Sequence, residues 1–436
     1  MASASMPVSV PVPFSRGAGS NRSAGTWSSL SGARKFVVAL AVLLIVFNVA
    51  IPKGGIKAGD LPITWGYLML FLLVPVGLIG ALRRPMPLAQ PLLQVILFFL
   101  PVAMLILVKS VVYHLTFSAL AVHEVLFFFL PVGVLVILGP YLEEVPADII
   151  ATTLLWCVRF AVIWGIVNFV LYPIIKDIIQ IPYLTVNAAD YGEIYGKNNR
   201  RGILMKLVST YNNGNIFGAC MVMLAPIYFL FEKRRLLLAL FIIALVCTLS
   251  RTVWFGMVGV TGIMMLTGQI KVRNPRVWIG LVVAGGLLIM LLPLMGWTPE
   301  KLVDSNLGGR VKTFTNFEMT VLGGKTLMIP EVIYFGFLNS FGLVGTFFAV
   351  CAFAAGPVFG FLHLKSLSPL RRAATAGALG YVVLAAIDGC FVFPPVLAQF
   401  FFVTSLIYRR GLRPERKSFS LDNGVRQSYP ARSGLS

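Results

Sequence analysis

The chain has 436 residues, of which 58% are hydrophobic and 12% charged, with a net charge of +20 and a mean hydropathy of +0.87. A soluble domain carries about 25% charged residues, so this chain lacks the polar groups to coat a globule in water, and most of it must be solvated by lipid. The basic excess has no nucleic-acid-binding motif beside it and fits the Lys and Arg that membrane proteins collect in cytoplasmic loops.

Residues 1–33 are rich in Ser, Ala, Gly and Pro, with Arg16, Arg22, Arg34 and Lys35 ahead of the first apolar run. They read as a disordered basic tail leading into an uncleaved signal-anchor. In hydrocarbon every backbone N–H and C=O must be paired within the chain, which leaves helices or closed barrels. The apolar runs last roughly 17 to 25 residues without strand alternation, the length of a helical crossing. The expected fold is therefore an all-α integral membrane protein. Its polytopic domain covers 34–408, with spans near 36–52, 62–82, 91–108, 119–142, 150–174, 214–231, 236–250, 251–268, 277–297, 333–362, 373–388 and 391–408. A second polar, basic tail covers 409–436. The seventh and eighth spans form one apolar stretch broken at Ser250-Arg251-Thr252. A charge at mid-membrane is expensive, so Arg251 is expected at a membrane surface, in a tight turn.

Charge then sets the expected topology. With the N-terminus in the cytoplasm and the spans alternating, cytoplasmic segments hold roughly 22 of the 36 basic residues. One cytoplasmic loop, with Glu143, Glu144 and Asp148 and no compensating base, runs against this; acidic residues weigh little in the rule. Both termini are then cytoplasmic, and two substantial loops, about 176–212 and 298–332, lie outside. Arg200, Arg201, Arg251 and Arg310 fall on that outer face, as do Glu124, Glu331 and Asp388. The five cysteines lie in or beside apolar segments without a CxxC pair and read as small buried residues. The three histidines are scattered with no metal-ligand spacing, so neither a metal nor a cofactor is expected. No P-loop and no internal repeat are present in the sequence.

Arginines gathered at a lipid boundary can fork onto phosphate oxygens and keep their charge in a partly dry site. A departing diphosphate could be stabilised in this way without a metal. The plainer readings stand beside this one. Arg251 can be a snorkelling boundary residue, Arg310 a solvated loop charge, and Arg200 and Arg201 a basic pair meeting lipid headgroups. Glu331 after Pro330 can serve a helix N-terminus, and Glu124 and Asp388 can pair with neighbouring bases. Arg159 reads as structural, Asn213 and Asn215 as helix-capping residues, and the Phe127–Phe129 and Phe400–Phe402 runs as lipid-facing or packing surface.

Three segments resemble the O-antigen polymerase and O-antigen ligase superfamily of bacterial envelope enzymes. Tyr211-Asn-Asn-Gly-Asn-Ile-Phe-Gly218 is similar to that family's Asn-Pro-Asn-x-x-Gly helix opening, with Gly214 where Pro is common. Leu249-Ser-Arg-Thr-Val-Trp-Phe-Gly256 resembles its Ser-Arg turn between adjacent spans. Gly309-Arg310, Gly323-Gly324, Pro330-Glu331 and Asn339-Ser-Phe-Gly-Leu-Val-Gly345 follow its loop-to-span pattern. The resemblance implies a helical membrane glycosyltransferase of GT-C-like architecture, acting on a glycan carried by polyprenyl pyrophosphate at the outer face of the bacterial inner membrane. The other expected partners are membrane lipids and polysaccharide-assembly proteins such as a flippase and a chain-length regulator. Arg251, Arg310 and Glu331 would be catalytic, and Arg200, Arg201, Glu124 and Asp388 would bind substrate. Ligases of the superfamily carry a His at the span after the large loop. Here Ile329-Pro330-Glu331-Val332 has none, which favours a polymerase and makes Glu331 the candidate base by position. A ligase, and a twelve-span transporter or flippase for lipid-linked oligosaccharide, are the rival readings.

Overall fold

The computed structural model describes residues 32–58, 61–83, 90–195, 199–201, 203–271, 275–294, 320–325, 327, 329, 332–391 and 393–409. Both expected tails, apart from Gly32 onwards at one end and Arg409 at the other, lie outside the described residues, and so do Arg310 and Glu331.

The described chain is an assembly of apolar helices. In order they are α1 (Gly32–Ile45, continued by a π turn over Val46–Ala50), α2 (Trp65–Arg83), α3 (Gln90–Tyr113), α4 (Phe117–Glu143) and α5 (Ala147–Ile175). Then come α6 (Gly214–Phe231), α7 (Arg235–Cys247), α8 (Arg251–Leu266), α9 (Pro275–Leu294), α10 (Ile333–Leu362), α11 (Pro369–Asp388) and α12 (Pro394–Tyr408). Six of them, α3, α4, α5, α6, α10 and α11, are long and apolar enough to cross a membrane; the other six are shorter apolar helices. This is an all-α membrane protein. The described strands form two small antiparallel hairpins, β1 (Gly55–Ala58) with β2 (Leu61–Thr64) and β3 (Arg200–Arg201) with β4 (Leu204–Met205).

Packing rather than composition sets position in the bundle, since α6 and α9 are both apolar along nearly their whole length. α6 has an apolar surface on every side, and its residues from Ile216 to Tyr228 are all buried, as expected of a helix without a polar face. α8 and α11 close around it through small residues. Gly218 has no room for a Cβ beside Val253, and Gly256 faces Leu384 and Val222. Small residues let helix backbones approach where lipid supplies no hydrophobic drive. α9 is the opposite case, with none of its described side chains buried.

An aromatic core joins α3, α4, α10 and α12. Phe127 meets Phe341 edge to face at 5.2 Å, Phe353 meets Phe391 at 5.2 Å, and Phe99 meets Phe401 at 5.5 Å, the spacing that suits ring quadrupoles. Phe127, Phe400 and Phe401 of the two phenylalanine runs are thus packing residues, whereas Phe129 is exposed.

One helix departs from its expected form. α10 is broken at Gly342 (φ 66°, ψ −169°), a conformation restricted to glycine. A break inside an apolar helix leaves backbone groups to satisfy, and residues 320–324 do so. Thr320 O accepts from Leu343 N–H at 3.0 Å, Val321 O from Val344 N–H at 3.3 Å, and Gly324 N–H donates to Asn339 O at 2.7 Å. The Lys109 ammonium donates to Ser340 O and, at 3.4 Å, to Leu322 O. It therefore caps the carbonyl end of the first half-helix, where a cation is favoured. Lys109 is buried within α3.

Candidate functional site

At one end of the bundle α5 stops at Ile175, α6 starts at Gly214, α7 turns into α8 across Thr248–Ser250, and α11 turns into α12 across Gly389–Phe393. The chain between α5 and α6 covers this loop-bearing end. Its base is tied to the helices by side chains that reach backbone carbonyls. Ser209 Oγ donates to Ala161 O at 2.6 Å, Thr210 Oγ1 to Ala50 O at 2.6 Å and Tyr211 Oη to Val49 O at 2.8 Å. Gln399 Nε2 donates to Tyr211 Oη at 2.9 Å and to Asn48 O at 2.6 Å. Burial pushes the Tyr211 phenol well above its ordinary range, so it stays a neutral donor. Farther out, the Tyr195 hydroxyl donates to Asp177 and accepts from Ile178 N–H at 2.9 Å. The hydroxyl contact, with the Ile178 N–H that Asp177 also accepts, holds that carboxyl below its usual range.

Within this frame lies a polar chain of three side chains, buried at both ends and half-buried at its middle member. Lys206 Nζ donates to Asn215 Oδ1 at 3.1 Å, and Asn215 Nδ2 donates to Asp388 Oδ2 at 2.9 Å. Cys390 Sγ–H donates to Asp388 Oδ1 at 3.4 Å. Lys206 is 5% exposed and Asp388 2% exposed. The amide is used at both ends, its oxygen toward the ammonium and its nitrogen toward the carboxylate. Charges this deep require partners, and here they are joined through the neutral amide of Asn215.

The α7–α8 turn sits against the same group. Leu207 N–H donates to Cys247 O at 2.9 Å. A Cβ on Gly214 would lie 3.0 Å from Lys206 Cβ and 3.1 Å from the carbonyls of Leu207 and Thr248. Glycine at this position, where proline is common in the resembling family, thus reflects close packing of three segments. Arg251, half-buried, is the first residue of α8, after an extended Ser250. Val253 abuts Gly218, and Gly256 abuts Leu384. Arg251, Asn215 and Asp388 each lie two to five residues from these contacts toward the loop-bearing end.

In the segments next to the polar chain Ser209 (φ 50°), Asn212 (φ 55°), Leu249 (φ 50°) and Cys390 (φ 47°) have left-handed backbone, as do Lys176 and Tyr183 farther out in the α5–α6 connection. Asparagine tolerates this region, but Ser209, Leu249 and Cys390 each cost on the order of 1–3 kcal/mol. Such strain persists only where surrounding contacts over-determine the backbone.

The sequence-expected residues are distributed as follows. Arg251 and Asp388 stand at the same end of two adjacent helices, α8 and α11. Arg200 is exposed on the β3–β4 hairpin, Arg201 is its neighbour in β3, and Lys206 directly follows the hairpin. Glu124 is at the same end but across the aromatic core, one turn from Phe127, with a buried Oε1 that has no hydrogen-bond partner among the described residues. Arg310 and Glu331 are outside the described residues; Ile333, two residues after Glu331, packs against Gly389 beside Asp388. Asn213 is the helix cap expected of it, accepting from Asn215 N–H at 2.8 Å. Asn215 is not a cap; it is the bridge between Lys206 and Asp388. Lys206 and Asn215 were not singled out as site residues from sequence. The available signal was a lone lysine in the apolar run Leu204-Met-Lys-Leu-Val208.

Arg159, read as structural, forms an ion pair with Glu232 at 2.7 Å toward the opposite end of the bundle, where Arg234 N–H also donates to Glu232 at 2.9 Å. Burial pushes the Glu232 carboxyl up, but the Arg159 and Arg234 contacts outweigh it and leave it below its usual range. Among the described residues no group of three or more His, Cys, Asp or Glu could hold a metal ion.

No protein-family model matches the sequence, and no curated protein matches it.

Proposed function

We propose that this chain is a twelve-span, GT-C-like glycosyltransferase of the bacterial inner membrane, with both termini cytoplasmic, that polymerises oligosaccharide repeat units carried on polyprenyl pyrophosphate. The observation that carries the reading is the meeting, at one end of the bundle, of the Arg251 turn with the Lys206–Asn215–Asp388 chain under strained backbone. In this reading the loop-bearing end faces outward. An acceptor hydroxyl oxygen attacks the anomeric carbon of the donor while the bond from that carbon to the diphosphate breaks. The bonding pair leaves with the diphosphate, and the hydroxyl proton passes to a carboxylate, for which Glu331 is the candidate.

Arg251, at the N-terminus of α8, would receive the diphosphate, since helix N–H groups and a guanidinium both favour an anion there. Arg310, Arg200 and Arg201 would assist. Lys206 lies beside the same turn and adds a fixed positive charge. Both Asp388 oxygens are engaged, one by Asn215 and one by Cys390, which suits a residue that positions Lys206 better than one that takes a proton. The transporter reading is less well supported. Ion-coupled transporters use the carbonyl ends of broken helices to hold a cation, and here Lys109 fills that place at the α10 break.

The test is the glycan profile of cells lacking the protein, complemented with wild type or Arg251→Ala at matched membrane levels. Long polymer with wild type and single lipid-linked repeats with the variant are expected. A full ladder from the variant would refute the role of Arg251. Accumulated lipid-linked polymer in the deletion strain would indicate a ligase instead.

A further inference from the structure

The β3–β4 hairpin does not behave as a water-facing turn. Its two-residue connection in the sequence is Gly202-Ile203, and Ile203, a large β-branched apolar side chain, is 72% exposed. Ile203 N–H donates to Leu294 O at 3.4 Å, which ties the tip to the last residue of α9. α9 is the helix with no buried described side chain, and Val282, Ile289 and Met290 on it are all strongly exposed. On the hairpin's underside Leu204 packs with Leu249, Phe169, Trp254 and Leu291, so the hairpin bridges the ends of α5, α8 and α9. Ile174 and Ile175 at the end of α5 are exposed as well. The isoleucine tip thus adjoins the apolar outer surface of helices that already face lipid, and Arg200, exposed, stands on the paired strand beside it.

We infer that the tip of this hairpin is a membrane-insertion element, with Ile203 in the acyl region of the phospholipid leaflet at the loop-bearing end and Arg200 at the level of the lipid phosphates. A β-branched tip flanked by a long basic side chain has the chemistry of an interfacial anchor, apolar end in hydrocarbon and guanidinium at the headgroups. Lys206 follows the hairpin by one residue, so the anchor sets the depth of the candidate site relative to the leaflet. The inference needs only that the protein resides in a membrane, and failure of the proposed glycan chemistry would leave it standing.

The test uses the full chain carrying Ile203→Cys, labelled with an environment-sensitive fluorophore and reconstituted in phosphatidylcholine–phosphatidylglycerol vesicles. Wild type carried through the same labelling gives the background from native cysteines. Val282→Cys on α9 is the lipid-facing reference, and Lys365→Cys, exposed between α10 and α11, is the aqueous one. The label at 203 is expected to emit to the blue of the label at 365, to be quenched by spin-labelled lipid, and to be quenched by iodide several-fold less than at 365. Iodide quenching equal to that at 365, with no effect of spin-labelled lipid, would overturn the inference. Protection from both quenchers would also overturn it, by placing a protein contact at the tip. Should Ile203→Cys lower the yield of folded protein, Arg200→Cys must show quenching by headgroup-level spin label for the inference to stand.

Discussion

Toward the end of the bundle opposite the loops, Arg159 and Glu232 meet directly at 2.7 Å. At the loop-bearing end, Lys206 and Asp388 both bond the side-chain amide of Asn215. A direct pair with further backbone donors is electrostatically closed, because each charge spends its field on the other. At the other end the ammonium and the carboxylate both bond the neutral amide of Asn215, which spreads the polar contact over three side chains. The backbones differ in the same sense. Ser209, Asn212, Leu249 and Cys390 hold left-handed conformations around the bridged pair, whereas the chain beside Glu232 turns through extended residues. Of these charges, Arg159 and Glu232 fasten α5 to the α6–α7 connection, whereas Lys206 and Asp388 join the α5–α6 connection to α6 and α11 beside the α7–α8 turn.

Substitutions at the two regions should separate activity from stability. The largest effect is expected for Arg251→Ala, which should lower polymer formation by about 100- to 1,000-fold, the loss typical of removing one group that stabilises developing negative charge, with unchanged membrane levels. In the bridge, Asn215→Leu should leave two buried charges without their link and reduce both activity and folded yield. Asp388→Asn keeps the shape and removes only the charge. It should lower turnover by roughly tenfold, equivalent to about 1.4 kcal/mol, with a thermal midpoint in detergent close to wild type. A midpoint that collapses in Asp388→Asn would make the network structural and erase the contrast between the two ends.

Glu232→Gln should behave in the reverse way. It leaves Arg159 with a neutral partner, and a loss of about 1–3 kcal/mol of stability is expected, with activity per folded molecule intact. The sign of its pH dependence follows from the depressed carboxyl. Stability from the pair is present above the ordinary carboxylate value of 4.5 and is lost as pH falls through the lower folded-state value. Wild type should therefore lose stability faster than Glu232→Gln on acidification below that range, read by thermal unfolding in detergent. The smallest effect is expected for Arg200→Ala, an exposed side chain, for which a few-fold change in activity is the outcome if it assists at phosphate level.

Much of the fold was legible because lipid imposes a coarse rule. The apolar runs correspond to the helices, and the interruption expected at Ser250-Arg251-Thr252 is a turn across Thr248–Ser250, with Arg251 and Thr252 already in the first turn of α8 rather than in the connection. The break at Gly342 was not legible, since Asn339–Gly345 reads as uninterrupted apolar helix until residues 320–324 and Lys109 are seen to satisfy it. Of the candidate site, Arg251 and Asp388 could be picked out as charges at span ends. Lys206 and Asn215 could not, because one looked like a loop charge and the other like a cap, and only the packing of the α5–α6 connection against α7 and α11 brings them together.

The sequence by itself determined that the chain lives in lipid, where its helices lie, and which charges stand at their ends, because the cost of exposing backbone and charge to hydrocarbon is large and local. Tertiary structure decided which of those charges meet and through what. Lys206 and Asp388 are 182 residues apart in the chain, and no local rule relates them. Their link depends on Gly214 and Gly218 letting α6 close against its neighbours, which sets the reach of Asn215 to both.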